Sequence, residues 1–141
     1  MQARAGVIGG VIGGIIKLII DYSTYAIGIS TLDPVGAFSQ VLFGFEQMNL
    51  AICIVYLTAS GFAGWLISSL IFESKKYVTW GIVSGVLSWA LMNIGVIAST
   101  KVATTWSMGV GSFISDLFTH IIWGLSITLT IRCFNKKKAQ S

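Results

Sequence analysis

The chain has 141 residues, of which 55% are hydrophobic and only 10% are charged, and its mean hydropathy is +0.84. These values exclude an ordinary soluble domain, in which about 25% of residues are charged. A net charge of +4 would suit a protein that binds nucleic acid. The basic residues flank apolar segments, however, which is typical of membrane proteins. We therefore predict that a lipid bilayer surrounds the chain and that it does not bind nucleic acid.

Four apolar segments are each close to the ~20 residues that a helix needs to cross a hydrocarbon core of ~30 Å. They cover residues 5–29, 48–72, 77–98 and 109–132. Helices are the expected form, because an open strand would leave backbone groups unpaired in lipid. The sequence predicts an all-α integral membrane protein, in which residues 1–141 form a single domain and a bundle of four transmembrane helices.

The first apolar segment begins with a run in which glycine recurs at every fourth position. Gly6, Gly10 and Gly14 form one stripe, and such stripes let helix backbones approach closely in lipid. Gly81 and Gly85 repeat the spacing at the start of the third apolar segment. We therefore expect the first and third transmembrane helices to dock through these glycines.

Residues 30–49 are too polar to continue a span and too apolar to form a free loop. Asp33 followed by Pro34 is typical of a helix N-cap with proline at the first helical position. Apolar residues then recur every three or four positions from Val35, which indicates one buried helix face. A short interfacial helix over residues 33–45 is predicted on the outer surface. A re-entrant segment lining a pore is the alternative, and it would need protein or water around its backbone.

Basic residues are distributed unequally between the two sides of the predicted bundle. If the four helices alternate in direction, seven lie on one side and one on the other: Arg4, Lys75, Lys76, Arg132, Lys136, Lys137 and Lys138 against Lys101. Basic loops of multi-pass proteins face the cytoplasm. Both termini are therefore predicted to be cytoplasmic.

Two pairs of ionisable residues lie within apolar segments, where such groups are costly and mark the place to look for function. Lys17 and Asp21 are four residues apart in the first segment, and Asp116 and His120 are four apart in the last. At 1.5 Å per residue, the first pair lies roughly 18 and 24 Å along its helix, and the second roughly 10 and 16 Å from the outer end. Because these depths match, we predict one polar cluster in which Lys17 bonds at least one carboxylate.

Two functions remain open for such a cluster. It is either the proton, cation or small-solute site of a small conduit or carrier, or a structural charge clamp in a non-transporting scaffold or accessory subunit. His120 is the one side chain whose charge can change near neutral pH. Glu46, Asn93 and Trp123 are candidate lining residues. Four helices offer little room for alternating access, and a homodimer would supply a second set. A phage-type pore former is a further alternative.

Signatures of catalysis are absent from the sequence. There is no nucleophile elbow, zinc-protease motif or phosphate loop, and the chain has one histidine. We therefore predict neither an enzyme nor a cofactor. A metal site is disfavoured, because one histidine and two carboxylates are a sparse ligand set and Lys17 would oppose the cation.

Two runs in the sequence resemble the YagU-like family of bacterial inner-membrane proteins. Residues 6–21 (GVIGGVIGGIIKLIID) are similar to the first membrane helix of that family. Residues 115–126 (SDLFTHIIWGLS) are similar to its last helix, where an acid precedes a histidine by four residues and a tryptophan follows by three. The chain departs from the family pattern in having aspartate twice where glutamate is usual, and a shorter segment before the second helix. The resemblance implies a protein of the bacterial cytoplasmic membrane, supplies no reaction, and singles out Lys17, Asp21, Asp116, His120 and Trp123.

Overall fold

The computed structural model describes residues 2–31, 33–43, 50–71, 76–99, 105 and 107–139. Within these residues the chain is all-helical, without strands. The helices are α1 (Gln2–Ala26), α2 (Pro34–Phe43), α3 (Leu50–Leu70), α4 (Tyr77–Ser99) and α5 (Val110–Ala139). Four of them, α1, α3, α4 and α5, are long and apolar enough to cross a membrane. The chain is therefore a multi-pass helical membrane protein with a short helix between its first two spans, as the sequence predicts.

The C-terminal ends of α1 and α5 differ by several residues from the boundaries predicted by the apolar runs, and local chemistry explains both differences. α1 ends at Ala26, because Gly28 adopts a φ of 76° and the amide of Ile29 hydrogen-bonds back to the Thr24 carbonyl at 2.9 Å. That backbone conformation favours glycine and closes a helix. α5 instead continues through the lysine-rich tail to Ala139, because lysine is a good helix former and no glycine or proline interrupts the tail.

The spanning helices pack in the order α3, α1, α5, α4, each antiparallel to its neighbour. α1 and α5 form the centre, since 39% of the spanning window of each is buried, against 22% for α3 and for α4. The outer faces of α3 and α4 carry exposed apolar side chains such as Ile54, Leu66, Leu87 and Leu91. These faces suit contact with lipid tails.

Two neighbouring glycine stripes place α1 between its two partners. A Cβ added at Gly10 would run into the backbone oxygen of Ser60 in α3, and one added at Gly9 would stand 2.8 Å from the Cα of Ile127 in α5. The doubled glycine repeat therefore lets α1 approach two helices at once. The stripe facing α3 comprises Gly6, Gly10 and Gly14, and the stripe facing α5 comprises Gly9 and Gly13.

The predicted docking of the first and third transmembrane helices through Gly81 and Gly85 is wrong. Both glycines of α4 lie against α5, where an added Cβ would stand 2.9 Å from the Cα of Leu125 and 2.7 Å from the Cα of Ile121, respectively. α1 meets α3 instead because α3 carries its own small-residue stripe at four-residue spacing. That stripe consists of Ser60, Gly64 and Ser68.

α2 is fixed at its start by Asp33. The Oδ1 atom of this residue accepts hydrogen bonds from the amides of Val35 and Gly36, both at 3.1 Å, and from the hydroxyl of Tyr22 at 3.2 Å. The predicted N-cap is therefore confirmed. The bond from Tyr22 also ties α2 to the end of α1.

Replacing Gly10 by alanine is expected to destabilise the protein by about 1–3 kcal/mol, because the added methyl group forces α1 away from Ser60. The matched control is Gly95→Ala in α4, where nothing lies within 4 Å of an added Cβ. Its stability should be unchanged or higher by up to about 1 kcal/mol, since alanine favours helix. Thermal unfolding in one detergent measures both. A Gly10→Ala variant as stable as the wild type would contradict the close packing.

Candidate functional site

Lys17 lies buried at the contact between α1 and α5. Its Nζ donates to Asp21 Oδ2 at 2.7 Å on the same helix, and across the interface to Asp116 Oδ1 at 3.3 Å and Thr119 Oγ1 at 3.0 Å. An ammonium group has three N–H donors, and each has an acceptor here. Lys17 therefore joins carboxylates of two helices, and the residues that the sequence placed at matching depths do lie together.

His120 completes this charged cluster from α5. Its Nδ1 lies 3.1 Å from Asp116 Oδ1 and 2.8 Å from the Asp116 backbone oxygen. Both atoms are acceptors when the carboxylate is ionised, so Nδ1 must carry a hydrogen, and the neutral ring then has its lone pair on Nε2. Within the part of the chain that the structure describes, Nε2 has no hydrogen-bond partner. Nε2 is thus the ring atom that can take up a proton.

The formal charge of the charged cluster depends on whether His120 carries a proton. If both carboxylates are ionised and His120 is neutral, the single ammonium group of Lys17 faces two negative groups. A net negative charge is unfavourable in a low-dielectric interior. Uptake of one proton or one monovalent cation makes the cluster neutral, so its composition favours binding a single positive charge.

Two residues of this site were not predicted from the sequence. Thr119 follows Asp116 by three residues, so its position on the same helix face was available as a signal. Tyr56 of α3 lies near Lys17 and both carboxylates, and its ring meets Phe38 of α2 edge-on with centroids 5.1 Å apart. No sequence spacing could indicate Tyr56, because its partners all come from other helices.

Hydroxyl groups extend from the charged cluster along the interface of α1 and α5. Ser115 Oγ donates to Thr24 Oγ1 at 3.1 Å, and farther on the Thr31 amide donates to Ser112 Oγ at 3.1 Å. Ser112 and Ser115 are buried, whereas Thr31 is exposed. These two hydroxyl pairs follow the interface from the level of Asp21 to the exposed Thr31, and we call them the hydroxyl seam: Thr24, Thr31, Ser112 and Ser115.

On the other side of Lys17 the same interface is largely apolar. Trp123 fills the space beside Gly13, and its Nε1 donates to Ser60 Oγ at 2.6 Å. Ser60 in turn donates to the Gly10 carbonyl at 2.7 Å. Buried apolar side chains continue from Trp123 toward the start of α1: Ala5, Ile71, Ile127 and Ile131. Trp123, a candidate lining residue, thus forms the boundary between the charged cluster and an apolar core.

Of the other two candidate lining residues, Asn93 does not extend the cluster. Asn93 accepts a hydrogen bond from the Thr105 hydroxyl at 2.9 Å and donates to the Trp89 carbonyl at 3.0 Å. It ties the connection between α4 and α5 to α4. Glu46 lies outside the described residues, as does the end of the predicted 33–45 helix beyond Phe43.

These features define a class: a multi-pass helical membrane protein with an ionisable site buried between its central helices. In the described ranges, no group of three or more His, Cys, Asp or Glu side chains could hold a metal ion. No family model, curated protein or solved structure matches the chain. The YagU-like resemblance therefore stays a prediction, and function must be inferred from the site itself.

Replacing Lys17 by methionine is expected to destabilise the protein by about 3–5 kcal/mol, because two buried carboxylates lose their cation. The matched control is Lys136→Met, the same substitution at an exposed lysine of α5, which should change stability by no more than about 0.5 kcal/mol. Chemical or thermal unfolding in detergent measures the difference. Equal stability of the two variants would show that the carboxylates do not depend on Lys17.

Proposed function

We propose that the protein is a small membrane carrier that binds one proton, or a monovalent cation in its place, at the charged cluster. The observation that supports this most directly is the placement of two carboxylates against one ammonium group between α1 and α5, beside a histidine whose Nε2 has no hydrogen-bond partner among the described residues. Ionisable groups within spanning helices commonly mark ion and proton pathways. His120 contacts Asp116, which accepts a hydrogen bond from Lys17, and Lys17 in turn binds Asp21.

The hydroxyl seam supplies a route of access to this site. A hydroxyl group both donates and accepts hydrogen bonds, so a file of hydroxyls can pass a proton or contact a partly dehydrated cation. The seam reaches the surface at Thr31, beyond the end of α1. Exchange of the bound charge is therefore proposed at that end of the bundle.

The packing on the other side of the cluster favours a carrier over an open conduit. The hydroxyls of Ser126 and Thr130, which lie near Gly13 and Gly9, are bonded to carbonyl oxygens of their own helix. Trp123 occupies the interface between them and the cluster. A bound charge could reach the basic end only if α1 and α5 separated, and such a movement is what alternating access requires.

The flux prediction concerns two residues of the cluster. Asp116→Asn and His120→Gln are each expected to lower proton or cation flux by roughly tenfold or more, because each removes a group that holds the bound charge. The control is Asp33→Asn, which removes a carboxylate that caps α2 outside the cluster and should leave flux unchanged. Flux is measured in liposomes with a pH-sensitive dye under an imposed gradient. Wild-type flux in both cluster variants would refute the proposal.

A structural charge clamp is the second candidate, and the three satisfied donors of Lys17 favour it. In this alternative the cluster only holds α1 and α5 in register. A combined variant, Lys17→Met with Asp21→Asn and Asp116→Asn, removes the charges together and separates the candidates in the same liposomes. A carrier would lose its flux while the bundle stays folded. Wild-type liposomes with no flux above empty liposomes would instead support the clamp.

We infer that the spans lie in a bacterial cytoplasmic membrane with both termini inside. Arg4, Lys76, Arg132 and Lys136 all belong to the helix ends that the antiparallel packing brings to one side of the bundle. That side is expected to face the cytoplasm. The resemblance to the YagU-like family supports the choice of membrane.

A reporter fused after Ser141 is expected to reveal this orientation. A fluorescent protein should fluoresce there, whereas alkaline phosphatase should stay inactive, because its disulfides do not form in the cytoplasm. The control places the same reporters after Gly28, at the opposite end of α1, where the two signals should exchange. An active phosphatase at the C-terminus would show that the orientation is the opposite of the one proposed.

A further inference from the structure

A basic cleft lies at the end of the bundle where α4 begins and α5 ends. The cleft is open to its surroundings and has a volume of about 520 Å³, which is within the roughly 300–1,000 Å³ of small-molecule pockets. Arg132 and Lys136 line it from α5, and Lys76 lines it from the position before α4. None of the carboxylates in the described residues lines it. The cleft is therefore a concave surface of positive charge.

Its two walls are joined by a hydrogen bond, in which Asn135 Nδ2 donates to the Tyr77 hydroxyl at 3.2 Å. Val78 and Thr79 line the cleft from the first turn of α4. Because the amides of a first turn carry positive partial charge, they add to the attraction for an anion that the basic side chains create.

The cleft lies at the level where lipid headgroups are expected. The spanning window of α4 begins at Tyr77, and that of α5 ends at Lys136. Val78 in the cleft is 52% exposed, and Ile82, one turn farther along α4, is 42% exposed. An apolar surface therefore leads from the cleft into the bilayer. A soluble anion would leave this surface unused, whereas a phospholipid would lay an acyl chain on it.

We propose that the basic cleft binds the phosphate of an anionic phospholipid, with Arg132 and Lys136 as its cationic ligands. The recognised chemistry is a phosphate ester with a net negative charge. A guanidinium group presents paired N–H donors that match phosphate oxygens. Basic pockets between helix ends are suited to anionic headgroups. The acyl chains would lie against Val78 and Ile82.

Native mass spectrometry of the detergent-solubilised protein tests this proposal. The protein is titrated with phosphatidylglycerol or with phosphatidylcholine of identical chains. Arg132→Gln is expected to weaken binding of phosphatidylglycerol roughly fivefold, and to leave the weaker binding of phosphatidylcholine unchanged. Arg132→Lys, which keeps the charge, should recover most of the affinity. Because Arg132 is exposed, neither variant should disturb the fold.

The matched control is Arg4→Gln, which removes a basic residue from the same end of the bundle but outside the cleft. It should change phosphatidylglycerol binding by less than about twofold. Equal losses from Arg4→Gln and Arg132→Gln would overturn the proposal, since any surface charge would then suffice. Equal affinity of the wild type for the two lipids would also overturn it. Displacement of phosphatidylglycerol by an equal concentration of inorganic phosphate would assign the cleft to a soluble anion instead.

Discussion

Backbone contact between α1 and its two neighbours determines where the polar groups of the bundle can lie. In lipid, helices gain little from burying apolar side chains against one another and associate through close van der Waals packing. The doublets Gly9-Gly10 and Gly13-Gly14 present one glycine to α5 and the other to α3. Lys17 lies one turn beyond Gly13, on the same face of α1 toward α5. The contact that joins the two backbones therefore also brings the ammonium group to Asp116.

The bundle interior differs on the two sides of this meeting point. Toward Thr31 the helices share hydroxyls and charges, and toward the basic end they share glycines, Trp123 and branched aliphatic side chains. A site connected to polar groups on one side and sealed on the other is what one state of a carrier requires. The same arrangement would also suit a structural clamp, because the apolar core beside the charged cluster keeps water away from its ion pairs. The two functions differ in whether His120 exchanges a proton, which a carrier requires and a clamp does not.

Several parts of this arrangement follow from the sequence because they depend on local chemistry. The lengths of the apolar runs predicted four spans, since bilayer thickness fixes how many residues a helix needs. Asp33 predicted the start of α2, because a cap bonds amides only two and three residues away. The charged cluster was predictable because ionisable groups in lipid must find partners at their own depth, and Lys17 and Asp116 had matching depths.

The sequence by itself thus determined the spans, the cap of α2 and the residues that share each helix face. Only the tertiary structure decided which faces meet. Gly81 and Gly85 lie against α5, whose Gly124 faces them, because the glycine stripes of α1 are already occupied by α3 and α5. The hydroxyl seam and the basic cleft likewise combine residues of different helices, and Tyr56 meets the charged cluster from a third helix. Local spacing fixes the direction of a side chain, whereas the choice of partner depends on how well two whole helix surfaces fit together.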